Sequence, residues 1–126
     1  FVLRRERSIL IAMINNFKLL KNFDEVLAEL YISSSELSKL RDTIIDIITN
    51  EKIVNSTELK HNLVKKGFSS ILKKHFSTND GFKFEVVENY AKENTNIEEA
   101  KKSLMSVILL QEKWYEKKNK NLSKIT

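Results

Sequence analysis

Cysteine and proline are absent from the 126-residue chain, which holds only two glycines and two histidines. The missing cysteine excludes disulfides, thiolate metal sites and thiol nucleophiles, and agrees with a reducing, cytoplasmic setting. With no proline, and with Gly67 and Gly81 as its only glycines, the chain lacks the corner residues of a tight-turned β-sandwich. Long hydrophobic runs are missing too. The opening run Ile9–Ile14 is six residues long, against about 18–20 for a membrane span and about 7–15 for a secretory-signal core. Catalytic groups are equally sparse. His61 and His75 stand 14 residues apart, with no acidic residue at metal-ligand spacing. Two isolated glycines cannot cradle a phosphate, and the carboxylates fall singly, without the cluster that Mg²⁺ requires. Neither an enzyme nor a cofactor site is expected in this stretch.

What remains is rich in Leu, Ile, Lys, Glu and Asn, the composition of long helices joined by short polar links. The expected fold class is all-α: a compact bundle of about five to six helices over residues 1–95, followed by a long C-terminal helix over 96–126 continuous with it. Four capping boxes mark helix starts, in which a polar side chain accepts from a first-turn N–H and a glutamate reaches back. They begin at Asn22, Ser33, Asn55 and Thr95. The first helix, about Leu3 to Asn16, carries Leu3, Leu10, Met13, Ile14 and Phe17 on one face. Ile9, Ile11 and Ala12 widen that face until it nearly encircles the helix, which predicts a central position in the bundle. A short second helix is expected over Asp24–Leu30. The third, about Ser35 to Thr49, turns Leu37, Leu40, Ile44, Ile47 and Ile48 inward, with Lys39, Arg41, Asp42 and Asp46 elsewhere. A fourth, about Thr57 to Lys66, stops at Gly67, and Phe68, Ile71, Leu72, His75 and Phe76 outline a fifth. His75 reads as a satisfied core or boundary residue. Ser77–Gly81 reads as a loop, and residues 82–93 fit strand and helix alike.

The formal net charge is +5, and its placement is uneven. Residues 1–100 hold 15 basic and 15 acidic side chains, while residues 101–126 hold seven lysines against Glu112 and Glu116. On a helical projection, Ile97, Ala100, Leu104, Val107, Ile108, Gln111 and Tyr115 share one stripe of the last helix, its core face. Opposite lie Lys102, Leu109, Leu110, Lys113, Lys117 and Lys120. Leucines among lysines suit a surface that docks by an apolar patch and is steered by charge. Packing of Leu109 and Leu110 on a neighbouring helix of the same chain is the equal alternative. Trp114, between the two faces, suits a rim anchor. The candidate partner-binding residues are therefore Leu109, Leu110, Lys113, Trp114, Lys117 and Lys120.

Two stretches carry a family resemblance. Residues 5–20, RERSILIAMINNFKLL, resemble the opening of the C-terminal, helicase-binding domain of bacterial DNA primase. Residues 27–48, LAELYISSSELSKLRDTIIDII, resemble that family's next block, where a Leu-Ala-Glu-Leu link enters a helix of the form S-x-x-L-x-x-L-R-x-x-I. Order, spacing and intervening length fit over residues 4–48; the likeness is loose over 49–93. Phe17 stands where the family commonly has proline, so the first helix is expected to run on. The resemblance implies a non-catalytic module that binds the N-terminal domains of the hexameric replicative helicase and couples primer synthesis to unwinding in the cytoplasm. It also implies upstream domains holding the parent's zinc and magnesium, in keeping with a chain that opens on Phe1. The family's terminal hairpin makes much of the helicase contact; only its first helix is expected here, which implies weak binding.

Two other readings compete. The N-terminal domain of the replicative helicase is similar in fold, but it usually carries a G-x-P-I-D turn where this chain has Asn50–Asn55, without glycine or proline. A basic nucleic-acid-binding domain would use Lys101, Lys102, Lys113, Lys117, Lys118, Lys120 and Lys124, and would lose affinity steeply with salt. The nearby aromatics do not form a stacking platform for bases, so nucleic-acid contact is expected to be weak or indirect. No membrane partner is expected.

Overall fold

The computed structural model describes residues 2–78, 81–84 and 96–125. Five helices, α1 (Val2–Asn15), α2 (Phe17–Glu29), α3 (Ser35–Asn50), α4 (Ser56–Lys65) and α5 (Ser69–Phe76), precede a 29-residue α6 (Ile97–Ile125). A small antiparallel ribbon of β1 (Ser77–Thr78) and β2 (Gly81–Phe84) follows α5, pairing Ser77 with Phe84 and Thr78 with Gly81. The fold is all-α with this one ribbon among the described residues. The expected loop over Ser77–Gly81 is thus partly paired; Val86, Val87, Tyr90 and Ala91 lie outside the described residues.

The wide apolar face of α1 has the consequence expected of it. Every residue from Ser8 to Asn15 is buried, and α1 touches each of the other five helices. Leu10, Met13 and Ile14 meet Leu19, Leu20, Leu37, Leu40, Ile44, Leu59, Leu63, Leu72 and Phe76 in one core cluster. Ala100, Leu104 and Ile108 belong to the same cluster. The first turns of α6 are therefore part of the bundle, and only from Glu116 onward are the described side chains uniformly exposed. Leu3 is the exception on the expected α1 face, being exposed, and Phe17 is half-buried in α2.

The chain breaks between α1 and α2 without proline or glycine. Asn16 adopts an extended conformation (φ −128°, ψ 93°), and its side chain accepts from the Leu19 N–H, satisfying a first-turn donor of α2. The second helix therefore starts seven residues before the expected Asp24, and the first does not run on. Asn22 is no cap; it lies inside α2 and donates to the Lys18 carbonyl. Two other starts move by one residue, Ser34 capping α3 and Asn96 capping α6 by accepting from Glu98 and Glu99. At α4 the Asn55 cap is as expected, and Glu58 reaches back to the Val54 N–H. Gly67 (φ 91°) closes α4 with Phe68 N–H donating to the Leu63 carbonyl and Gly67 N–H to Val64, the Schellman arrangement.

Candidate functional site: the outer face of the last helix

Beyond the apolar contacts of Ala100, Leu104 and Ile108, α6 is held by a buried polar knot. Glu6 of α1 is fully buried. Its carboxylate accepts from Ser33 N–H at 2.7 Å, Ser33 Oγ–H at 2.9 Å, Ser34 N–H at 3.2 Å and Gln111 Nε2–H at 2.7 Å. Gln111 of α6 is fully buried as well; it donates to the Tyr31 carbonyl at 2.9 Å and accepts from Arg5 Nε–H at 2.7 Å. One carboxylate thus ties the start of α3, the α2–α3 link and the middle of α6 to α1. A second buried ion, Arg41 of α3, donates from Nη1 to the carbonyls of Leu27 and Leu30 and from Nε to Asp42 at 2.7 Å. It caps the end of α2, whose last carbonyls have no helical partner. The expectation that Arg41 lies away from the core is corrected: it is buried because those carbonyls need a donor there.

Next to this knot, Tyr31 is clasped by two aromatic rings of α6. Its ring stacks on Tyr115 at 4.2 Å between centroids and on Trp114 at 6.1 Å, with interplanar angles of 23° and 26°. The Lys118 ammonium sits 5.2 Å from the Trp114 ring centre and 5.8 Å from that of Tyr31, within cation–π range. Between this stack and α2 lies a cleft of about 460 Å³, lined by Val26, Glu29, Leu30, Tyr31, Gln111, Glu112, Tyr115 and Glu116.

The expected docking residues have unequal surroundings. Leu109 and Leu110 are 47% and 55% exposed, so neither is covered by another helix of the described chain. Lys113, Lys117 and Lys120 are exposed, and Trp114 is half-buried by its contact with Tyr31. At about 100° per residue the two leucines diverge. Leu110 shares a strip with Trp114, Lys113 and Lys117. Leu109 shares one with Met105, itself 38% exposed. Lys113 lies within about 60° of both leucines, with Lys117 nearer Leu110 and Lys120 nearer Leu109.

Sequence reasoning missed three site-shaping residues, and each carried a signal. Glu6 lies on the α1 face of Leu10, Met13 and Ile14; Arg41 lies on the α3 face of Leu37 and Ile44. A charged residue on an apolar face is a request for a partner. Tyr31 had no such mark, because its ring is recruited by α6 from more than 80 positions away.

His75 is satisfied, as expected: its side chain is 4% exposed, with Arg7 Nε–H donating to Nδ1 at 3.0 Å and Nε2 lying 3.0 Å from Glu36 Oε1. Since Arg7 can only donate, Nδ1 accepts and the proton sits on Nε2. The Glu36 carboxyl is held below its ordinary value of 4.5 by hydrogen bonds from Lys74, first, and from His75. Among the described residues no group of three or more His, Asp or Glu side chains could hold a metal ion. Nor, among them, is any helix long and apolar enough to cross a membrane. No protein-family model, curated protein or solved structure matches the chain.

Proposed function

We propose that this chain is the helicase-binding module of a bacterial DNA primase, a non-catalytic cytoplasmic domain that docks on the N-terminal domains of the hexameric replicative helicase. The observation that carries the reading is the outer face of α6, where exposed Leu109 and Leu110 stand among Lys113, Lys117 and Lys120 on a helix anchored from beneath. Such a face steers an acidic partner by charge and holds it by apolar contact. Support also comes from the residues behind the resemblance. Glu6 of the first stretch bonds Ser33 and Ser34 of the second, and Arg41 bonds Leu27 and Leu30 within the second. The two stretches therefore act as one structural unit, which is why their order and spacing belong together.

The test is a binding titration of the chain against the helicase N-terminal domains from the same organism, repeated with Leu109→Asp, Leu110→Asp and Lys113→Glu. Each change is expected to weaken binding by at least about tenfold, the range of a central interface residue. Undiminished binding by all three variants refutes the proposed face. Binding that follows DNA in place of the helicase, and collapses between low and moderate salt, assigns the lysines to a polyanion instead.

A further inference from the structure

The strip of α6 that carries Leu109 has a charge order that is its own complement. Glu98, Lys102, Met105, Leu109, Glu116 and Lys120 fall within about 60° of one another at 100° per residue, and all six are exposed. Along the helix they read acidic, basic, apolar, apolar, acidic, basic. Glu98 and Lys120 each stand 11 residues from Leu109, and Lys102 and Glu116 each stand 7. Turning a second copy end for end about Leu109 therefore sets Lys120 against Glu98 and Glu116 against Lys102, each pair twice by symmetry. The two Leu109 side chains meet on the axis, and the apolar stem of Lys113 comes over Met105. A parallel second helix in the same register would set like charge against like, so the pattern selects the antiparallel arrangement. Glu98 already lies 3.4 Å from Lys101, but that is an exposed pair on one helix turn, readily exchanged for another partner.

We infer that the chain self-associates as an antiparallel homodimer through this strip of α6, with Leu109 on the two-fold axis. A two-fold contact is isologous: each residue meets the residue that meets it. Here the mirror order of charges about one leucine meets that requirement over about 33 Å of helix. With only Met105 and Leu109 as apolar members, the dimer is weak, dependent on concentration and sensitive to salt. The inference stands apart from the helicase reading, because it needs no second protein. It has a consequence for that reading: the dimer covers Leu109 and leaves Leu110 and Trp114 on the flank.

Sedimentation equilibrium of the 126-residue chain tests it. The wild type is expected to shift from monomer to dimer up to millimolar concentration at low salt, and back toward monomer in about 1 M salt, where the screening length is about 3 Å. Glu98→Lys and Lys120→Glu are each expected to weaken the dimer by about tenfold, since each turns two symmetric attractions into repulsions. Mixing the two variants restores attraction at both ends, so the mixture is expected to dimerise within about threefold of wild type. Circular dichroism of the single variants confirms that they fold. A chain that stays monomeric at millimolar concentration overturns the inference. So does a mixture no tighter than either variant alone, or a dimer that survives Leu109→Asp.

Discussion

Replacing Glu6 tests the physical argument at its strongest point. Its carboxylate accepts four hydrogen bonds, two from the backbone N–H groups of Ser33 and Ser34 and one from Gln111 Nε2 among them. In Glu6→Ala the Ser33 hydroxyl can turn to water and Gln111 keeps the Tyr31 carbonyl, but the Ser33 N–H loses its one short partner. Hydrogen bonds to a charged group contribute about 1.5–3 kcal/mol each, and an abandoned buried donor costs about 1–3 kcal/mol. Not all four bonds are lost outright, so the expected destabilisation is about 3–4 kcal/mol. Glu6→Gln keeps the volume and one acceptor oxygen but turns an amide N–H₂ toward donors, for about 2 kcal/mol. Against a total stability of about 5–15 kcal/mol, both variants remain folded at low temperature. Urea unfolding reads the change as a lower midpoint at unchanged slope. A double-mutant cycle with Gln111→Leu should return a coupling of about 1–2 kcal/mol. Variants of Glu6 within about 1 kcal/mol of wild type, or additive with Gln111→Leu, refute the claim that this carboxylate fastens α6.

Three further outcomes follow from single observations. Arg41→Lys abandons the planar guanidinium that serves the Leu27 and Leu30 carbonyls from Nη1 and Asp42 from Nε, and chemical denaturation should register a loss of about 2 kcal/mol. Gly67→Ala meets no atom within 4 Å, so its expected cost of about 1 kcal/mol is purely that of a side chain at positive φ; Gly67→Asn should cost less in the same melts. Glu36 has a lowered folded-state pKa, so its contribution is present above the ordinary value and lost as pH falls through the lowered one. Acid titration should therefore show less stability loss below pH 4.5 in Glu36→Gln than in wild type.

The parts of the fold that were legible in the sequence are those fixed by periodicity. Six consecutive apolar residues in α1 could only be buried by surrounding the helix, and α1 does touch all five others. Gly67 and Asn55 marked ends through backbone and capping chemistry that acts within a few residues. Where the structure departs from those local signals, another group intervenes. In the sequence Ser33 is the better cap, with Glu36 three residues on, but Glu6 engages the Ser33 N–H and hydroxyl, leaving the Ser34 hydroxyl to cap Leu37. Asn22 matched a capping box, yet Asn16 had already supplied the break, and Leu20, Phe23 and Leu27 carry one buried stripe straight through it. The proposed docking face was half legible: projection separates Leu109 and Leu110 from the core stripe, but only packing decides that no other described helix covers them.

The residues that fasten the fold and the residues proposed to meet a partner are separate sets. Glu6, Arg41 and Gln111 are buried, and they hold the links that the two family-like stretches share. Leu110, Lys113 and Lys117 are exposed and hold nothing within the described chain. Substitutions in the first set should lower stability and weaken binding only through α6; those in the second should change binding at constant melting temperature. Trp114 joins the sets, since its ring stacks on Tyr31 beneath the Lys118 ammonium, while along the helix it shares the proposed strip of Leu110, Lys113 and Lys117. Trp114→Phe should therefore keep most of the stack yet lose the larger ring's contact, whereas Tyr31→Ala should loosen Trp114 without touching the partner. If Tyr31→Ala weakens helicase binding as much as Trp114→Ala does, the stack is what presents the face. If it has no effect, the tryptophan acts alone.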